Sequence, residues 1–193
     1  GSSLFFLSRV SACTSSVGST LVLNIICGNV VSGYYDISSK LVHAITNLIN
    51  PITQALYPYM SSTGDTNVLK KFIYYGSCLF ALTFLIMEIF GDSIMEQLFG
   101  ITDEVAINTF RIMNLVLLFV LPSYLTGYPL LAAKGHDKFI NISVCAAALL
   151  FVCTTILLFF AGYINLYTMT ALYVFVEFFV FVTRIYGIKK YKL

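Results

Sequence analysis

The chain has 193 residues, of which 59% are hydrophobic and 10% charged, with a formal net charge of +2 and a mean hydropathy of +0.88. Soluble domains carry about a quarter charged residues, so this balance excludes an ordinary water-soluble globule and predicts a chain lying mostly in lipid. The small net charge, with no basic patch interleaved with aromatics, excludes a nucleic-acid partner.

A spanning helix needs about 20 apolar residues, and the hydrophobic stretches predict about six, at roughly 9–31, 37–60, 70–91, 105–130, 139–161 and 165–187. The expectation is an all-α polytopic bundle forming a single transmembrane lobe over 1–193. The chain opens on Gly1-Ser2-Ser3 without an initiator Met or a signal peptide, and reads as a fragment of a longer protein.

In the first span Ser8, Ser11, Ser15 and Ser19 share a face beside Gly18. Small residues let helix backbones approach closely, though the same hydroxyls also suit a polar lumen. The second span carries Lys40, His43, Asn47, Asn50 and Gln54 at increments of three or four, which at about 100° per residue project into one arc of roughly 80°. Pro51 and Pro58 lie near that arc. Each removes a backbone donor, a loss tolerated at membrane depth beside other helices or water, so the helix is expected to bend beside a cavity. The alternative is that Asn47, Asn50 and Gln54 hydrogen-bond neighbouring helices.

The third span ends near Glu88, read as interfacial, and Gly91 to Gly100 is too short and too charged to span. It predicts a small amphipathic helix on the surface, ended by Gly100. The fourth span opens with Asn108, Arg111 and Asn114 and is expected to bend at Pro122 and Pro129. Arg111 suits a phosphate through paired donors, or the outer headgroups by snorkelling. The loop Lys134-Gly135-His136-Asp137-Lys138 is expected to be solvated. In the last span Glu177 shares a face with Thr170 and Arg184, seven residues to either side. About 10 Å of helix separates Glu177 from Arg184, too far for direct pairing. Proton coupling and a hydrogen-bonded packing role are both open to Glu177.

Orientation follows from Lys and Arg, which are retained on the cytoplasmic side in short loops. Arg9, Lys70, Lys71, Lys134, Lys138, Arg184, Lys189, Lys190 and Lys192 fall at one set of span ends, whereas Asp36, Asp92, Glu96, Asp103 and Glu104 fall at the other. Both ends of the chain are thus expected in the cytoplasm. Lys40 and Arg111 escape this rule, and a charge in hydrocarbon costs at least about 2.5 to 3.5 kcal/mol, so both are expected to face a cavity or protein interior.

The five cysteines Cys13, Cys27, Cys78, Cys145 and Cys153 form no CxxC pair and stand with no His cluster, giving no expectation of a metal, cofactor or disulfide framework. No Gly-x-Ser-x-Gly and no cluster of aspartates at a span end is present, so an intramembrane protease or phosphotransferase is not expected, and the chain is read as a non-enzyme.

Several stretches together resemble the Wzx-type polysaccharide flippases, in the superfamily that also holds lipid II flippases and multidrug exporters. These are Phe5-Phe6-Leu7-Ser8-Arg9, Gly33-Tyr34-Tyr35-Asp36-Ile37-Ser38-Ser39-Lys40-Leu41, Asn50-Pro51-Ile52-Thr53-Gln54-Ala55-Leu56-Tyr57-Pro58-Tyr59, Leu98-Phe99-Gly100 and Leu131-Ala132-Ala133-Lys134-Gly135-His136-Asp137-Lys138. The resemblance implies a fold of about twelve helices in two lobes, this chain being the C-terminal one, and an N-terminal lobe as its partner. It implies translocation of an undecaprenyl-pyrophosphate-linked oligosaccharide across the bacterial inner membrane by alternating access, among membrane lipids and alongside a polysaccharide polymerase and a chain-length regulator, for O-antigen or another surface polysaccharide. On that analogy Lys40 and Arg111 hold the anionic head, while His43, Asn47, Asn50, Gln54 and Asn108 line the cavity. The alternatives are an exporter of organic cations, which calls for more intramembrane carboxylates than Glu177, and a non-transporting truncated remnant.

Overall fold

A computed structural model gives the architecture. It describes the backbone of residues 2–191 and the side chains of residues 14, 15 and 17–191; the side chains of Ser8, Arg9, Ser11 and Cys13, and the whole of Lys192, lie outside the described residues. Nine α-helices and one π-helical turn are described. They are α1 (Ser2–Cys27), α2 (Asn29–Thr46), α3 (Ile49–Thr63), α4 (Thr66–Ile89), α5 (Gly91–Phe99), α6 (Glu104–Asn114), α7 (Leu117–Leu125), the π turn (Thr126–Ala132), α8 (Asp137–Phe160) and α9 (Leu166–Tyr191).

Among the described residues four stretches, where about six were expected, are long and apolar enough to cross a membrane: α4, the run Glu104–Ala132, α8 and α9, of 24, 29, 24 and 26 residues. At 1.5 Å per residue the shortest measures about 36 Å, more than the ~30 Å of a hydrocarbon core. The chain is an all-α membrane helix bundle. Glu104–Ala132 is central, with half of its most apolar window buried against 6% for α4. Phe110, Met113 and Leu117 on this run are fully buried. The outer faces of α4 and α8 present Leu79, Leu85, Ile89, Leu149, Leu157 and Phe160, an apolar surface of the kind that lipid covers.

Alternate connectors gather at opposite ends. Tyr34 donates to Asp103 at 3.1 Å and Cys27 Sγ lies 3.8 Å from the Ile164 carbonyl, joining three connectors at the acidic end. Lys134 Nζ donates to the Gly64 carbonyl at 3.3 Å, joining two at the basic end. Asp65 and Asp103 cap α4 and α6, each accepting a backbone N–H at 2.8 Å, the position where a short carboxylate satisfies an orphan donor.

The elements differ from expectation in three places. No loop over 32–36 separates the first two spans: the chain turns at Gly28, whose φ of 88° is open to glycine at little cost, and Tyr34 to Asp36 already lie in α2. The second span is two helices, interrupted at Asn47 and Leu48. Pro51 is the physical reason, since its ring crowds the carbonyl four residues back, that of Asn47, and it donates no hydrogen bond. The fourth span is interrupted at Leu115 and Val116 and widens into the π turn around Pro129. The surface helix α5 ends at Gly100, with φ 66° and its N–H on the Glu96 carbonyl at 2.8 Å, as the sequence predicts.

Candidate functional site

Periodicity assembles the site on α9. Tyr173, Glu177 and Arg184 stand four and seven residues apart, so about 100° per residue returns all three to one face. That face closes a cavity of about 130 Å³, also lined by Ser15 of α1, His43 of α2, Tyr124 of α7 and small apolar residues of α8. The volume admits several water molecules. A carboxyl, a guanidinium, an imidazole and two phenols therefore converge inside a bundle whose exterior is apolar.

Arg184 is 7% exposed. Its Nη1 donates to the Ser123 carbonyl at 2.7 Å and the Ser123 hydroxyl at 3.1 Å, and its guanidinium carbon lies 5.7 Å from the centre of the Tyr124 ring. Local sequence makes this seat. The π turn shifts the bonding register just beyond Ser123, and Gly127 leaves room, since a Cβ there would stand 3.2 Å from Arg184 Cζ. Arg184 Nε is buried without a hydrogen-bond partner, so the guanidinium retains unused donor capacity. Glu177 accepts no hydrogen bond and makes no ion pair within 4 Å among the described residues. It shares its cavity with Arg184 but, as the helical rise requires, does not pair with it directly.

His43 lines the same cavity, its ring edge-on to Tyr173 with centroids 6.2 Å apart. The rest of the predicted stripe does not reach it. Lys40 is exposed and bonded to Asp36, one turn earlier, at 2.6 Å. Asn47 and Asn50, exposed, bond to each other at 3.2 Å across the helix break, and Gln54 is exposed on α3. The interruption at Asn47 parts Asn50 and Gln54 from the helix of His43, while Lys40, on that same helix, turns outward to Asp36, so the five residues are divided between a cavity and an outer surface.

Arg111 binds Asp92 at 2.7 Å and stands 4.0 Å from Glu88. Expected to be free for an anion or for headgroups, it instead ties α6 to α4 and α5, because Glu88 and Asp92 flank it at the same end. Asn114 strengthens that corner, donating to the Phe84 carbonyl at 3.1 Å and to Glu88 at 3.4 Å. Asn108 is exposed, outside the cavity. Arg184, grouped by sequence with the basic connectors, is inside the bundle instead: it lies three residues within the predicted end of the last span, on the face of Glu177. That shared face was the signal that marks it. His136, expected in solvent, stacks on Tyr191 at 3.7 Å. Ser15 lines the cavity, whereas Ser19 bonds back to the Ser15 carbonyl at 2.7 Å and Gly18 packs under Phe151, so the small-residue face does both things at different depths. Among the described residues no group of three His, Cys, Asp or Glu could hold a metal.

No family model matches the chain, and no solved structure matches it. One curated protein of Escherichia coli (strain K12), described as a "Putative O-antigen transporter", is 31% identical over 98 residues, 48% of this chain. The matched stretch spans 24% of that relative's length. The similarity is thus to a transporter, over about half of this chain.

Proposed function

We propose that this chain is one lobe of a flippase that turns an undecaprenyl-pyrophosphate-linked oligosaccharide across the bacterial inner membrane, its basic end in the cytoplasm and a second lobe completing the pathway. The observation that carries the reading is Arg184. A guanidinium kept inside a lipid-embedded bundle and lining a cavity that admits several water molecules suits the oxygens of a phosphate. The partial likeness to a transporter and the resemblance to polysaccharide flippases support the same direction. In this scheme Arg184 holds the anionic head, His43, Tyr124 and Tyr173 offer sugar hydrogen bonds, and the exposed Lys40, Asn47, Asn50 and Gln54 face the second lobe, where uncovered polar groups and interrupted backbone escape lipid. Arg111, engaged by Asp92, and the exposed Asn108 lie at the acidic end, away from the anionic head.

Export of an organic cation is the second reading, favoured by one observation: Glu177 lines the cavity while Lys40 and Arg111 are matched by carboxylates. Complementation separates the two. The full-length protein with Arg184→Gln is expected to lose polysaccharide export at least tenfold in a flippase-null strain, while Lys40→Ala retains most of it. Full export with Arg184→Gln, or drug resistance that follows Glu177 instead, refutes the flippase reading.

A further inference from the structure

An anion site does not account for Glu177. A carboxylate repels a phosphate, yet Glu177 occupies the cavity that Arg184 lines. It has no hydrogen bond and no ion pair among the described residues. We propose that Glu177, with His43 across the cavity, is a proton-exchange site that switches the cavity between a cationic and a neutral state.

The charge balance is simple. With Glu177 as the neutral acid the cavity carries the single charge of Arg184 and attracts an anion. When the acid releases its proton to water in the cavity, carboxylate and guanidinium sum to zero and the attraction falls. Binding of proton and anion is then mutually reinforcing, and by linkage each raises the affinity of the other by the same factor. The inference rests on the anion reading of this same cavity.

Geometry supports the pair. Seven residues of helix keep the guanidinium from Glu177, and Ser123 fixes it in place, so Arg184 tunes the site without permanently neutralising it. His43 faces Tyr173, one turn before Glu177. A neutral imidazole carries one donor and one acceptor, so it can receive a proton at one nitrogen and release one from the other. Among the described residues, the other titratable groups on elements packed against α9 at these levels are Tyr35 on α2, Tyr124 on α7, Tyr128 on the π turn and Cys145 on α8. None is a second carboxylate, and Arg111 is engaged at the acidic end. Among the described residues Glu177 is thus the acid of the cavity. A single carboxylate with no second acidic group beside it is a poor cage for a metal cation and a sufficient one for a proton.

The test uses the full-length protein reconstituted in phosphatidylethanolamine and phosphatidylglycerol vesicles, treated with dicyclohexylcarbodiimide, an apolar reagent that modifies protonated carboxyls, and mapped by mass spectrometry across pH. Modification of Glu177 is expected to rise several-fold as pH falls, while Asp92, bound to Arg111, stays low. His43→Ala is expected to shift the midpoint of the Glu177 profile. Infrared difference spectra give a second reading: a protonated-carboxyl band present in the parent, lost in Glu177→Gln and retained in Glu177→Asp. A flat Glu177 profile, a band that survives Glu177→Gln, or suppression by sodium at constant pH as strong as by raising pH overturns the proposal. None of these readings requires the lipid-linked substrate, so loss of the flippase reading in complementation leaves the proton site separately testable.

Discussion

Arg184 and Arg111 bring the same guanidinium into different chemistry, and the difference lies in their neighbours. Arg111 meets Asp92 in a pair whose side chains are 37% and 61% exposed. Such half-exposed pairs contribute about 1 kcal/mol or less, so Arg111→Ala is expected to shift thermal unfolding in detergent only slightly. Arg184 is buried on a backbone carbonyl, where hydrogen bonds involving a charged group contribute about 1.5 to 3 kcal/mol. Arg184→Ala is expected to lower stability by that order, measured by the same unfolding assay, and Arg184→Lys to recover only part of it because an ammonium lacks the planar fork. Sequence made Glu177 and its face legible, since seven-residue spacing is a property of any helix. It misplaced Arg184 because counting charges by connector treats any basic residue near a span end as a snorkelling one. Lys40 was the converse case: Asp36, one turn before it, was the visible partner, but reading 32–36 as a loop hid the helical spacing.

At the scale of elements, glycine and proline decide where spans begin and break. Gly18 packs beneath Phe151, and a Cβ there would stand 3.1 Å from the ring. Gly18→Leu is expected to overpack the α1–α8 contact and cost about 1 to 3 kcal/mol. Gly33 is the opposite case, since a Cβ in this helical position meets nothing within 4 Å. Gly33→Ala is expected to stabilise α2 by about 0.5 to 1 kcal/mol, and a lower melting temperature for Gly33→Ala would contradict its helical placement. The amphipathic α5 and its Gly100 stop were readable from composition alone. The break at Asn47 was readable only as a bend, because Pro51 announces a disruption without saying whether the helix curves or is interrupted. The interruption is what parted Asn50 and Gln54 from His43, a consequence invisible to an arc computed on a continuous helix.

For the whole molecule, contacts between connectors at each end support an up-and-down bundle with one acidic and one basic end. The orientation proposed above puts the basic end in the cytoplasm. A membrane-impermeant maleimide applied to intact cells is expected to label Tyr163→Cys but not Asn67→Cys in a cysteine-free background, with Asn67→Cys reacting only after the cells are opened. Labelling of both from outside would reverse or break the topology. The apolar, all-α class was plain from composition, because lipid imposes length and hydropathy on every span; the count was not, since about six spans were expected and four stretches among the described residues are long and apolar enough to cross. The cavity was not, because five elements supply its wall and only the fold brings Ser15, His43, Tyr124, Glu177 and Arg184 together.

The central claim is that this cavity is a water-filled substrate pathway inside the bundle, and neighbouring positions on α8 test it directly. Ala148 lines the cavity, whereas Leu149 is exposed on the apolar exterior. In the cysteine-free full-length protein, a small water-soluble methanethiosulfonate is expected to modify Ala148→Cys at least tenfold faster than Leu149→Cys. Added undecaprenyl-pyrophosphate-linked oligosaccharide is expected to slow the reaction at Ala148→Cys alone. Equal, slow rates at both positions, or a rate at Ala148→Cys that the lipid-linked sugar leaves unchanged, would contradict the account.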